Sequence, residues 1–453
     1  MSLPRELNDT YDEAMQRIST QAQDDVDLAV RLLQWLVYAK RPLTLAEAQH
    51  ALAVEEGETD LDEEGLPDED IMISVCAGLV TVDKKSGIIR LVHYTAQEYF
   101  ERTMGVHFPH AQSMITAACL SYLSFKHFAV DDNLAVDLHD ITEQYPLSRY
   151  AVEFWGEHAR GNPETDIADS ILSFLTDEAK IATWYRILRY SRMPLDQGFS
   201  RTTGLHIGAR FGLSKIIRLL LSHGAKVNAR NTIGNTPLHE AAALNQEAAV
   251  AELLKQPDCE VNAFSGRGKT PLLTAVGPGY VSVVRRLLQR ADIDADAPDQ
   301  YGLFSPLWLA AQQGHAAIVE LLLAHKPAVD VNRTCPGGFD QTPLWCAATG
   351  GYAAVVKLLL QRADVDVNAA DSVYGETPLH RAAAEGFVSV VELLLKHRHI
   401  QVNAVDGSYG DTALQKAAQN GHDDVMKKLI AHPDIDPLCM ERSVQLYTSS
   451  DDD

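Results

Sequence analysis

Cysteine is scarce in this sequence and never paired: the six (Cys76, Cys119, Cys259, Cys335, Cys346 and Cys439) form no C-x-x-C pair and no regular framework. That usage argues against disulfides or a zinc site and fits a reducing compartment. No apolar run approaches the ~20 residues that a membrane-crossing helix needs. The opening stretch, Met1 to Asp12, is polar and acidic and does not read as a signal peptide. Positive charge is in deficit, with 39 Lys+Arg against 62 Asp+Glu and a formal net charge of −23. Such a balance disfavours nucleic acid and anionic membrane as partners, since both select basic surfaces. No Ser-His-Asp, Cys-His or two-carboxylate arrangement stands out, so no catalytic residue, cofactor or metal ligand is expected. The expectation is a soluble, non-enzymatic protein of the cytoplasm or nucleus that works through protein partners.

What the chain does have is a core and a repeat. At 453 residues, 46% hydrophobic and 22% charged, it has the composition of a folded protein with two or three domains. From about residue 200 to 436 a unit recurs every 33 to 37 residues, anchored at Thr203, Thr236, Thr270, Ser305, Thr342, Thr377 and Thr412. Two residues after each anchor stands a leucine, from Leu205 to Leu414, and seventeen after it another, from Leu220 to Leu429. Nine after it stands glycine in six of seven units; the exception, Asn245, is the residue next most tolerant of a left-handed backbone.

Each column has a physical task. The anchor hydroxyl can cap a helix, and the proline that follows it in five units (237, 271, 306, 343, 378) suits the first helical position. Glycine ends this short helix in a tight turn. A second apolar-striped helix follows, as in Val355 to Leu360, and a Val-Asn pair such as Val367-Asn368 opens an extended loop. No unit could bury its stripe alone, so the units must stack.

Thr377-Pro378-Leu379-His380 through Leu395, with Val402-Asn403 after it, resembles a near-consensus ankyrin repeat. The resemblance covers about half the chain and implies a helical solenoid whose loop tips and concave face bind proteins. The motif histidine is kept as His206, His239 and His380 but is Leu273, Trp308, Trp345 and Gln415 elsewhere. Its usual role is a structural hydrogen bond to the neighbouring loop. The two tryptophans either pack between units or offer an aromatic contact surface. Lys416, Gln419, Lys427 and Lys428 give the last unit the polarity of an end cap.

Upstream, Val26 to Ala39, Leu45 to Val54 and Asp68 to Leu79 read as helices. Leu79 to Asp83 and Ile88 to Val92 read as a hairpin, completing a winged-helix pattern. Ala39-Lys40-Arg41-Pro42-Leu43-Thr44 and Leu91-Val92-His93-Tyr94-Thr95 through Phe100 are similar to a region of fungal NACHT–ankyrin proteins, as are Leu3 to Leu7 and Tyr11 to Glu13. In that family the region joins a signal-transducing NTPase to repeats, and the chain opens where the NTPase should be ending. A separate NTPase subunit is therefore a candidate partner, and a truncated or split receptor arm in fungal non-self recognition is the alternative reading. The resemblance further implies that His93 touches the phosphates of bound ADP. Read from its own surroundings, it is a hydrogen-bonded histidine at a strand–helix junction.

Three motifs are weighed and set aside. Gly266-Arg267-Gly268-Lys269-Thr270 looks like the end of a P-loop, but Ala263 stands where glycine is required and Thr270 is a register-fixed cap. Asp60, Asp62 and Glu64 resemble the start of a calcium loop, but Ile71 occupies its twelfth position, and the run Glu55 to Asp70 reads as a solvated acidic insert. A DNA-reading winged helix needs a basic stripe, whereas residues 26–105 hold seven Lys/Arg against fifteen Asp/Glu.

The expected fold is mainly α: an ankyrin solenoid preceded by a small α+β winged-helix domain and a helical domain. The expected division is 1–25 linker, 26–105 winged helix, 106–199 helical, 200–440 seven repeats, and 441–453 acidic tail. Candidate partner-binding residues are Arg230, Asn231, Thr232, Gln300, Tyr301, Tyr374 and Glu376 at loop tips. Glu240, Gln312, Arg381 and Glu385 are the candidates on the concave face.

Overall fold

The computed structural model describes residues 5–55, 57–128, 142–192, 201–334 and 339–439. The tail at 441–453, Leu3-Pro4 of the N-terminal resemblance and Cys335 fall outside them. The architecture is mainly helical, a winged-helix domain followed by an ankyrin-type solenoid. The chain divides into two compact units, Met1–Thr232 and Ile233–Asp453.

The first unit opens with helix α1, Arg5–Ser19. Most of the stretch 1–25, expected to link to an upstream region, is therefore helical. Tyr11, Ala14 and Ile18 are buried, and the Tyr99 hydroxyl of a later helix donates to Asp12 at 2.5 Å. Helices α2 (Gln23–Tyr38), α3 (Leu45–Ala53) and α4 (Glu69–Val75) follow. Thr44 starts α3 with a reciprocal cap in which Glu47 bonds the Thr44 N–H at 2.8 Å. Strands β2 (Val80–Asp83) and β3 (Ile88–Leu91) form the expected hairpin, turning at Gly87 with φ +66°. A short strand β1 (Leu43–Thr44), which the sequence presents only as a helix break, pairs with β3 and gives the order β1-β3-β2.

Helices α5 (Tyr94–His107), α6 (Ala111–Tyr122), α7 (Leu147–His158), α8 (Pro163–Asp166), α9 (Ala168–Thr176) and α10 (Glu178–Arg192) complete the non-repeat part. A polar chain is buried among them. The Lys40 N–H donates to the Tyr150 hydroxyl at 3.0 Å, Tyr150 meets His158 Nε2 at 2.7 Å, and His158 Nδ1 meets Gln112 at 2.7 Å.

The first repeat, Gly204–Phe211 and Ser214–Ser222, belongs to this unit, so the compact division falls one repeat later than residue 199. It docks on the preceding helices through close contacts that require glycine. A Cβ on Gly156 would lie 2.1 Å from the Phe211 ring, and one on Gly204 would lie 2.0 Å from the Leu175 carbonyl. Glu164 receives the Lys215 N–H at 2.7 Å. The outer face of an end repeat is thereby covered, as a stacked array requires.

The second unit stacks six helix pairs, from Pro237–Ala243 with Glu247–Leu253 to Ala413–Gln419 with Asp423–Ile430. Both leucine columns are buried throughout the seven repeats. All six column glycines are left-handed, and Asn245, the exception, is too, at φ +56°.

Candidate protein-interaction surface

The histidine column shows how one repeat is fastened to the next. His239 Nδ1 accepts the Thr236 N–H at 3.2 Å, which leaves the ring proton on Nε2. Nε2–H then donates to the Lys269 carbonyl, just before the next anchor, at 2.9 Å. His380 repeats this pattern, accepting from Thr377 N–H and donating to the Asp411 carbonyl at 3.0 Å. Burial lowers its pKa and keeps it neutral.

Trp308 and Trp345 perform the same task with an indole. They are 3% and 8% exposed, and their Nε1–H groups donate to the Gln341 and Glu376 carbonyls, each at 2.9 Å. Both carbonyls again stand immediately before an anchor. Packing between repeats is therefore the role the structure gives these residues. Leu273 forgoes the bond and only packs, at 1% exposure.

A second fastening had no assigned role in the sequence. Within the second unit the asparagine of a Val-Asn pair reaches the following repeat with both ends of its amide. Asn368 donates to the His399 carbonyl at 2.7 Å and accepts the Gln401 N–H at 2.9 Å. Asn262, Asn332 and Asn403 do likewise. Asp296 stands at this position in the third repeat and instead meets Arg333 at 2.6 Å.

The loop tips are tied backbone to backbone. The Gly266 N–H donates to the Ile233 carbonyl, Gln300 to Gly268, Ser372 to Phe339 and Gly407 to Tyr374, at 2.7–3.0 Å. Such close approach needs bare backbone, and a Cβ on Gly375 would lie 2.7 Å from the Gly407 nitrogen. On this frame the residue three or four before each anchor from Thr236 to Thr412 projects outward. Tyr301, Phe339, Tyr374 and Tyr409 are 65%, 57%, 57% and 84% exposed, and Ile233 and Arg267 occupy the same position in the earlier loops.

The candidate residues divide against this geometry. Arg230, Thr232, Gln300, Tyr301, Gln312, Tyr374 and Glu385 are exposed, while Glu240 and Arg381 are half-buried. Thr232 accepts the Arg201 N–H at 3.1 Å, and Glu240 accepts from Asn235 at 2.9 Å. Asn231 and Glu376 are buried at 8% and 6% and are corrected: neither is a free tip.

Glu376 instead lies at the centre of an ionic network, 3.2 Å from Arg381 and 3.1 Å from Lys416. Arg381 also meets Glu385 at 2.7 Å and lies over the Trp345 ring. Lys416 also meets Asp406 at 2.7 Å, so it faces inward and is no solvent-facing cap residue. Burial alone would raise the Asp406 carboxyl, but Lys416 and the loop N–H groups of Tyr409 and Asp411 overcome it and hold the acid well below its ordinary range. The network stiffens the loops that carry Tyr374 and Tyr409. Three candidates, Glu376, Arg381 and Glu385, are thus brought together. Phe339 and Tyr409 were missed, although their spacing from the anchors marks them.

Comparison with known proteins agrees with this geometry. A family model of three ankyrin repeats matches overlapping stretches that together run from 185 to 440, more than half of the sequence. The chain belongs to the ankyrin-repeat family. Residues 15–113 match the winged helix domain of GPI inositol-deacylase. The ankyrin-repeat chain is 29% identical over 213 residues to the azaphilone pigments biosynthesis cluster protein L of Monascus ruber, covering 42% of this chain and 43% of that one. It is 38% identical over 56 residues to human Rabankyrin-5, covering 12% of this chain and 5% of that one. It thus spans less than half the length of either relative. The human ASB11 ankyrin repeat domain matches at 28% identity and a TM-score of 0.44, over 52% of this chain and all of that one.

Within the ankyrin frame the motifs set aside find ordinary places. Thr270 caps its repeat helix by accepting the Leu273 N–H, and Gly266 lies in the tip ladder. Asp60 pairs with His127 at 2.6 Å and Asp62 caps a single 3-10 turn at Glu63–Gly65. Burial pushes the Cys76 and Cys259 thiols up to about 12, which leaves them protonated and poor nucleophiles.

Proposed function

We propose that this protein is a non-catalytic recognition scaffold that captures a protein partner along the loop tips and adjoining helix surface of its repeats. The observation that carries the reading is the row Tyr301, Phe339, Tyr374 and Tyr409, exposed aromatics presented by loops each bonded backbone to backbone to a neighbouring loop. Aromatic side chains on a stiff frame supply contact area at small entropic cost, which is the make-up of interface anchors. Gln300 and Gln312 extend the surface, and Arg381 and Glu385 add a charged rim. A cytoplasmic or nuclear location follows from the same reading.

The test is capture from native lysate with the full chain and with a variant carrying Tyr301→Ser, Phe339→Ser, Tyr374→Ser and Tyr409→Ser. Proteins retained by the first and lost by the second, at unchanged helical content, would support the reading. An identical set from both would remove the tips from the interface. A second reading, an arm acting with a separate NTPase subunit, is favoured by the winged-helix match at 15–113 beside the family resemblance of 91–100. It requires that an NTPase be captured by both proteins, independently of the tips.

A further inference from the structure

The winged-helix domain contains a cleft of about 550 Å³, lined in part by His93, that the proposed scaffold role does not use. Its origin lies in the backbone. Strands β1 and β3 pair at Thr44↔Ile88 and Leu43↔Ile89, and the next pair would set Pro42 against Arg90. The Leu45 N–H donates to the Gly87 carbonyl, so bonded pairs alternate through Leu43↔Ile89 and would next join Arg41 to Leu91; that bond is not made, and the two chains part. Residues 39–43 form one wall and residues 89–93 the other.

The lining holds cations and no carboxylate. Arg41 is already engaged by Glu47, at 2.6 and 2.9 Å. Lys40 and Arg90 are exposed and form no ion pair among the described residues. His93 Nδ1 accepts the Thr95 N–H at 3.2 Å, which places the ring proton on Nε2 as a donor. Val92 and Tyr94, 55% and 69% exposed, supply an apolar rim. A carboxylate-free cleft of this kind runs against a domain with fifteen acidic and seven basic residues. Glu47 offsets Arg41 and Asp83 lies within electrostatic reach of Arg90, so the positive character of the lining rests on Lys40 and on the Arg90 guanidinium.

We infer that this cleft is a docking groove for an acidic, extended segment of a partner protein. Its carboxylates meet Lys40 and Arg90, and an apolar side chain between them rests on Val92 and Tyr94. At Leu91 the backbone N–H and C=O face away from β2 toward the cleft, so an extended segment can pair there along the line of β1. The groove is independent of the repeat surface and does not rest on the function proposed above.

The test is fluorescence anisotropy on the full chain with a labelled decapeptide alternating Glu and Leu, beside a matching Gln–Leu peptide. Expected are saturable binding of the Glu peptide, at least tenfold weaker binding of the Gln peptide, and at least tenfold loss in the Lys40→Glu, Arg90→Glu double variant. Both side chains are exposed, so the variant's thermal unfolding should match the parent's. Tyr94→Ala should weaken both peptides several-fold. Absence of saturable binding, equal binding of the two peptides, or indifference to the charge reversals would overturn the proposal. So would binding of inorganic diphosphate in place of the peptide, which would assign the cleft to a small anion.

Discussion

Trp345 donates its indole N–H to the main-chain carbonyl of Glu376 at 2.9 Å, the bond that His380 makes one repeat later to Asp411 at 3.0 Å. Two side chains of different size thus satisfy the same class of carbonyl, one just before a helix cap. The fastening is a property of the position, and an N–H at the right reach is what it requires.

Trp345→Phe keeps a ring at the interface and removes the donor. The Glu376 carbonyl is then left without this partner in a buried setting, at a cost of about 1–3 kcal/mol. Urea unfolding should show that loss, and Trp308→Phe should show a similar one. A variant as stable as the parent would mean that packing alone holds the position.

Asn368→Ala deletes two bonds to the next repeat at once. These lie at an exposed edge, where water compensates in part, so the expected loss is about 1–2 kcal/mol. The sharper readout is hydrogen exchange. The Gln401 amide, which donates to Asn368, should lose protection, while the Tyr352 amide, bonded to the Ala347 carbonyl within its own repeat, should not. Equal protection of Gln401 in both proteins would refute the clamp.

Acid should weaken the first unit through His158. Its side chain is fully buried, and burial, with a smaller contribution from Lys40, pushes its pKa down to about 3. The unfolded chain takes up this proton near pH 6.5, and the folded chain does not until about pH 3. The stability is therefore complete above about 6.5 and declines as pH falls toward 3, by about 1.4 kcal/mol per unit. Between pH 6.5 and 5 that amounts to about 2 kcal/mol. His158→Gln, which cannot take up a proton, should flatten the fall of the urea midpoint across this range. An unchanged slope would place the titrating group elsewhere.

The repeat register, the capping hydroxyls, the buried leucines and the left-handed turns, down to Asn245 at φ +56°, are written in the amino-acid order alone. These are legible because each is fixed within a few residues, by cap chemistry or by backbone sterics. The winged-helix hairpin was legible for the same reason. Long-range packing settles that Glu376 and Lys416 turn inward, that Trp345 is a fastener, and that Arg5–Ser19 packs as a helix. The same holds for the cleft beside Pro42. Each depends on partners thirty or more residues away, and whether a charged or aromatic side chain faces solvent or a neighbouring repeat is set by that partner's position. Local pattern carries no information about it.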